Sequence, residues 1–326
     1  MNKILITGAL GQIGSELTLK LIEIYGSKNI VTSSHCNRNE CKKKVIDEAP
    51  YEKVDVLKPE EIAEVVENHK IDTIIHLASI LSAKGEANPH RLWNINMNGL
   101  YNILEVAREK RCRIFVPSSI AAFGPSTPMD NTPQDTIQRP STIYGISKVS
   151  GELLCDYYFH RFGVDTRGVR FPGLISHVAL PGGGTTDYAV HIFYEALKTG
   201  HFTCNIRAGT YMDMMYMPDA LNAIIKLMET DSDKLTHRNA FNVTAMSFDP
   251  EEIYKEIKKH IPHFTMDYEV DEVKQKIADS WPNSIDDSVA RKEWGWKPEY
   301  NLSSMTTDMI EKLRKKLNIE KKPLVL

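Results

Sequence analysis

Through its first half the chain alternates short apolar runs with longer stretches of helical period. Lys3 to Thr7 (KILIT) is a run of the kind that forms a strand buried on both faces. Ile13, Leu17, Leu21 and Ile24 then recur at three- and four-residue steps, as one face of a helix requires. Further strands are predicted at Asn29 to Thr32, Lys53 to Val56, Thr73 to Leu77, Ile114 to Pro117 and Thr166 to Phe171, with helices at Glu60 to His69, Leu92 to Glu109 and Tyr144 to Phe162. Strand and helix alternating in this way predict an α/β fold, a doubly wound parallel sheet covered on both faces.

After Gly173 the rhythm loosens. Helices are predicted at Tyr188 to Lys198, Asp219 to Glu229 and Glu251 to His260, the last with Asp249 as N-cap and Pro250 at its first position. The strands there are short and scattered, and no linker or low-complexity tract intervenes. The expectation is a dinucleotide-binding domain over residues 1–175 and a smaller mixed α/β substrate lobe over 176–326, with a discontinuous boundary.

Composition narrows the classes. The 326 residues amount to about two domains at roughly 150 residues each. With 42% hydrophobic and 25% charged residues, disorder is excluded, and a net charge of -3 leaves no basic footprint for nucleic acid. Five cysteines without a CxxC pair argue against a disulfide framework or a structural zinc site, so no metal is expected. No basic leader precedes a long apolar stretch and no run of about 18 apolar residues occurs, so a soluble cytoplasmic protein without membrane contact is expected.

The first chemical signal is Thr7-Gly8-Ala9-Leu10-Gly11-Gln12-Ile13-Gly14, between the first strand and the first helix. Three glycines at this spacing permit a tight turn, let backbone approach a pyrophosphate and bring the helix onto the sheet, while free N–H groups at the helix start supply the anion site. The second predicted strand runs into Thr32-Ser33-Ser34-His35-Cys36-Asn37-Arg38, without the carboxylate that usually grips an NAD ribose. Ser34 can bond a ribose hydroxyl and Arg38 can tolerate a phosphate, so NAD is expected ahead of NADP without strict discrimination. Asp55, followed by Val56, either accepts from the adenine amino group or caps the strand end.

The second signal is Tyr144-Gly145-Ile146-Ser147-Lys148. Tyrosine and lysine at i and i+4 share a helix face, and a cation beside a phenol favours the phenolate, so Lys148 is expected to lower the pKa of Tyr144 and make it a general base. About 25 positions earlier, Ser118-Ser119 ends a predicted strand on the side where open parallel sheets bind ligands. Asn96-Met97-Asn98-Gly99-Leu100-Tyr101-Asn102 lies on the helix between the fourth and fifth strands.

As a set, these motifs resemble the extended short-chain dehydrogenase/reductase superfamily, home of the nucleotide-sugar epimerases, and imply its Rossmann fold over the first 175 residues. Sugar-nucleotide members typically carry an arginine that grips the diphosphate where this chain has Met212, and sugar dehydratases carry Asp and Glu where it has Ile120 and Ala121. Both absences point to a small substrate. Pro181-Gly182-Gly183-Gly184-Thr185-Thr186-Asp187 is a glycine-rich loop at a helix start that can close over a small zwitterion, with N–H groups and hydroxyls for a carboxylate and Asp187 for an ammonium.

This loop, with Leu81 to Glu86, Pro117 to Phe123, Met214 to Asp219 and Ala278 to Ser288, looks like the short-chain type of L-threonine 3-dehydrogenase over nearly the whole chain. The resemblance implies Tyr144 and Lys148 as the catalytic pair with Ser119 assisting. It implies Ser82, Gly182, Thr185, Thr186 and Asp187 around L-threonine, and Gly8, Gly11, Gln12, Ile13, Gly14, Ser34, Asp55, Val56, Leu77, Ala78 and Asn96 around NAD. It also implies a homodimer that pairs the helix from Leu92 with the Tyr144 helix into a four-helix bundle, with Tyr157, Tyr158 and Phe159 as candidate contacts. The alternatives are a sugar-nucleotide epimerase or reductase and a non-catalytic dinucleotide sensor.

Overall fold

A computed structural model describes residues 1–37, 45–180 and 182–319. Six parallel strands form the main sheet, in the spatial order Tyr51–Lys53, Ile30–Ser34, Ile4–Thr7, Thr73–His76, Arg113–Phe115, Thr166–Arg167. The order reverses between Ile4–Thr7 and Thr73–His76, which pair in register from Ile4↔Thr73 to Thr7↔His76. Crossover chains leave this point in opposite directions, and the crevice that opens there is where a doubly wound sheet takes its ligand.

Side chains alternate across the strands, so the sheet feeds two apolar layers. Leu5, Ile74 and Ile114 face the helices Pro59–His69, Gly99–Lys110 and Ile143–Phe162. Ile4, Ile6, Ile75 and Phe115 face Gln12–Tyr25 and, from the second half of the chain, Met217–Glu229. That helix buries Met217, Ala220, Ile224, Leu227 and Met228 completely, a contribution of about 1.5–3 kcal/mol for each large side chain to its docking. A third apolar cluster, of Tyr188–Lys198, Met212–Tyr216, Pro250–His260 and Leu302–Leu317, is the core of the lobe.

Three elements depart from the pattern-based expectation. The third strand ends at Lys53 rather than Val56, because Val54 N–H completes the ladder at Ser34 O and the Asp55 carboxylate then accepts Leu57 N–H to close a turn. The sixth predicted strand breaks into Thr166–Arg167 and Val169–Phe171, the second piece pairing with Ser118–Ser119 and Phe241–Asn242. Gly168 is the joint, where a Cβ would lie 2.3 Å from Val116 O. The predicted helix from Leu92 contains a π turn at Asn94–Asn98, a feature common at functional sites.

Arg38 lies outside the described residues. Cys36 is disulfide-bonded, whereas Cys112, Cys155 and Cys204 are free and buried. Among the described residues no helix is long and apolar enough to cross a membrane and no group of His, Cys, Asp and Glu is placed to hold a metal ion.

Candidate active site

The cradle for a dinucleotide is built from backbone. Gly8 has φ +68°, and a Cβ there would lie 2.7 Å from Ala78 N and Leu77 C; one on Gly14 would lie 2.5 Å from Gly8 O. The loop therefore seats directly on the end of the fourth strand, and the helix seats on the loop. Helix Gln12–Tyr25 has no side-chain cap and no acidic residue in its first turn, so its first N–H groups and their partial positive charge face the crevice. Gln12 Nε2 is buried with no hydrogen-bond partner among the described residues. A donor left unpaired in that position costs about 1–3 kcal/mol unless an acceptor meets it, and a pyrophosphate oxygen is such an acceptor. These residues fit NAD.

Two clefts meet at the cradle. One, of about 960 Å³, runs over Ser34, Asp55, Val56, Leu77 and Ala78, at the carboxyl ends of the strands on one side of the cradle. The Asp55 carboxylate in it already accepts Leu57 N–H, the strand-end cap of the two alternatives. Asn96 lines neither cleft: its amide holds Ile80 from behind, Oδ1 accepting Ile80 N–H at 2.8 Å and Nδ2 donating to Ile80 O at 3.1 Å.

The other cleft, of about 230 Å³, begins at Gly8, Gly11, Gln12, Ile13 and Gly14 and ends at Ser82, Thr185, Thr186 and Asp187, with Tyr144, Lys148 and Ser119 between. Tyr144 enters from helix Ile143–Phe162, which is started by Thr142 accepting Gly145 N–H. Its phenol lies near Ser119, whose hydroxyl accepts Ala121 N–H at 3.2 Å.

Lys148 Nζ lies 5.3 Å from the Tyr144 ring centroid and donates to Pro117 O at 2.7 Å. The expected lowering of the phenol pKa is not what this geometry gives. Burial pushes Tyr144 up to about 12, opposed by the nearby Ser119 hydroxyl, and burial pulls Lys148 down to about 8 despite the Glu152 carboxylate. In a low-dielectric site both charged forms lose hydration, and the ammonium is engaged by a carbonyl rather than by the phenol oxygen.

At the far end, Thr185 is buried and its hydroxyl has no partner among the described residues. Asp187 Oδ2 accepts the N–H groups of Gly183 (2.9 Å) and Gly184 (2.7 Å), so this carboxylate also holds the loop's own backbone. Gly182 packs beside Leu81, outside the cleft lining. The start of the loop is held by two distant elements. Ser176 Oγ donates to Glu16 at 2.5 Å, and Lys316 Nζ donates to His177 O and Val178 O, both at 2.8 Å.

A nucleotide cradle at the head of a parallel sheet joined to a Tyr/Lys/Ser set has a matching family model. The model described as the NAD dependent epimerase/dehydratase family matches residues 4–244. The chain belongs to the NAD-dependent epimerase/dehydratase family. Among members of known structure it is similar to an L-threonine dehydrogenase of Clostridium difficile, 60% identical, covering 97% of this chain and 98% of that one with a TM-score of 0.95. It is also similar to a monomeric L-threonine 3-dehydrogenase of metagenomic origin, 45% identical, covering 96% and 99% with a TM-score of 0.90. An uncharacterized epimerase/dehydratase of Staphylococcus haemolyticus is 57% identical over 316 residues, 97% of this chain and 99% of its own. NAD is the cofactor of the family.

Sequence reasoning left several residues of this epimerase/dehydratase site without a role. Trp281 lines the cleft, Lys316 donates to carbonyls at the start of the loop, and Arg170 pairs with Ser118 across the small sheet. These contacts depend on segments meeting in the fold, which the spacing of each residue in the chain does not encode. Tyr216 donates to Asp308 at 2.6 Å within the lobe.

Proposed function

We propose that the protein oxidises the C3 hydroxyl of L-threonine with NAD, giving L-2-amino-3-oxobutanoate. The observation that carries this reading is the small cleft between the glycine loop and Thr185. It holds the proton-transfer residues at its middle and unpaired buried groups at both ends, Gln12 Nε2 toward the cofactor and the Thr185 hydroxyl toward the substrate. At about 230 Å³ it falls below the roughly 300–1,000 Å³ of sites for drug-sized ligands, which suits one amino acid better than a sugar nucleotide. Met212, fully buried, offers no charge to a diphosphate, and solved relatives at 45% and 60% identity act on threonine.

Tyr144 takes the hydroxyl proton as hydride leaves C3, and the Ser119 hydroxyl steadies the oxygen as it becomes a ketone. When bound, NAD would supply the hydride acceptor and a positive charge that favours the Tyr144 phenolate. Lys148, fixed by Pro117 O, adds its ammonium to the same field. Ser82, Thr185 and Thr186 orient the amino acid, and closure of the Gly182–Gly184 loop excludes water.

The test is NADH absorbance on mixing the protein with NAD and L-threonine, with NADP, L-serine and allo-threonine as controls. Threonine-dependent NADH formation is expected, and its loss in folded Tyr144→Phe. No response to threonine together with tight binding of a nucleoside-diphosphate sugar would favour epimerase or reductase chemistry; NAD binding with no turnover of any substrate would favour a sensor.

Assembly is part of the same reading. Trp93, Tyr101, Ile146, Leu153 and Tyr157 leave an exposed apolar face on the two helices expected to pair, which supports a homodimer, although Tyr158 itself is buried. Light scattering at working concentration separates a dimer from a monomer.

A further inference from the structure

Glu152 stands one helical turn beyond Lys148 and is 5% exposed. Its carboxylate accepts four hydrogen bonds: from Ser118 Oγ, from Arg170 Nε at 3.0 Å, from Arg170 Nη2 at 2.8 Å and from Gln138 Nε2 at 2.8 Å. Arg170, equally buried, spends Nη1 on Gln134 O at 2.8 Å and Asn242 Oδ1 at 3.1 Å. Ser118 pairs with Arg170 across the small sheet, and Ser119 with Phe171.

One carboxylate thus ties the helix that carries Tyr144 and Lys148 to the two-residue strand that carries Ser119, and to the strand beside it. Lys148 and Glu152 also line one buried cavity of about 30 Å³, together with His76, Asn96 and Ser147. A buried ion pair is a poor source of net stability, since desolvation of both charges offsets much of their attraction. Its geometry is where its value lies.

We propose that Glu152, held by Arg170, is a positioning residue of the reaction: it braces the Ser119 strand against the Tyr144 helix and supplies the counter-charge beside the Lys148 ammonium. The inference rests on the reading of Tyr144, Lys148 and Ser119 as the proton-transfer set. The other groups that face this pair do not replace it. His76, from the fourth strand, is held neutral by burial and bonded to Thr7 Oγ1 at 2.8 Å. Cys155, on the same helix, is a buried thiol whose pKa burial raises far above neutral. Asp156, also on that helix, turns to Asn239. Tyr144 itself is neutral at rest.

The experiment compares the full-length parent with Glu152→Gln, which keeps the shape and removes the charge. The expected result is a fall in kcat on the order of 10- to 100-fold with the KM for threonine and the NADH affinity nearly unchanged. The acid limb of kcat should move to higher pH by about one unit, because an ammonium without its counter-charge gives up its proton more readily and the neutral amine no longer supports the phenolate. A merely structural role would lower thermal stability and leave that limb in place.

Ultraviolet difference absorbance of the phenolate, each protein read against its own Tyr144→Phe version, follows the same shift without substrate. An upward shift there in a parent that ignores threonine would sustain this inference and overturn the threonine reading. A parent that oxidises threonine, beside a Glu152→Gln protein with the same kcat, acid limb and phenol titration, would overturn the inference. Should Glu152→Gln not fold, Ser118→Ala removes one strut and leaves the ion pair. A several-fold loss of kcat at an unmoved acid limb is expected, and parental kcat would overturn the brace.

Discussion

Replacement of Asp213 by asparagine should stabilise the protein at alkaline pH and do little in acid. Asp213 is 1% exposed on strand Met212–Tyr216; one carboxylate oxygen accepts Thr244 Oγ1 at 2.6 Å, and the other is buried with no partner among the described residues. Burial pushes its pKa from 3.8 up to about 7, with the Asp287 charge adding to the rise. A carboxyl whose folded pKa is raised binds protons more readily in the native state, so stability is undiminished below the unfolded pKa and falls as pH rises, until the folded pKa is passed.

At about 1.4 kcal/mol per pKa unit the full penalty is about 4 kcal/mol, of which about 2–3 kcal/mol develops between about pH 5 and pH 8. The assay is urea unfolding of parent and Asp213→Asn at both pH values. Only the difference between the two proteins is read, because other titrating groups cancel in it. A difference that is the same at both pH values would show that Asp213 does not titrate in this range and would refute the reasoning.

Gly14→Ala sets a Cβ against Gly8 O and the Ala9 backbone, neither of which can yield; about 1–3 kcal/mol of stability and most NADH binding, read by fluorescence, should be lost. Thr185→Val removes a buried hydroxyl with no protein partner, so KM for threonine should rise up to about tenfold while the melting temperature holds or rises. Lys316→Met takes one donor from two loop carbonyls and the Tyr194 hydroxyl, and should raise the threonine KM several-fold with NADH affinity unaltered, as measured by steady-state kinetics and titration.

The sequence by itself determined the parts whose physics is local. Ile4, Leu5 and Ile6 are apolar because their strand is buried on both faces, Gly8 is needed for a left-handed turn and Gly14 for close approach, and Tyr144 and Lys148 share a face because a helix turns every 3.6 residues. Each signal lies within a dozen residues and survives without knowledge of the fold. Asp249 as N-cap of helix Pro250–His260, accepting Glu252 N–H at 2.9 Å, was legible for the same reason.

Tertiary structure decided what depends on distant segments meeting. Whether Asn96 faces a cofactor or clamps Ile80, and whether Asp55 is free or closes a turn, follows from loop paths that no spacing encodes. The helix Met217–Glu229 packs its apolar face on the sheet of the first half, a pairing of distant segments that its own periodicity does not encode. The charge state of the site was decided last. Helical spacing puts an ammonium near a phenol, but burial sets both pKa values, and burial belongs to the assembled molecule.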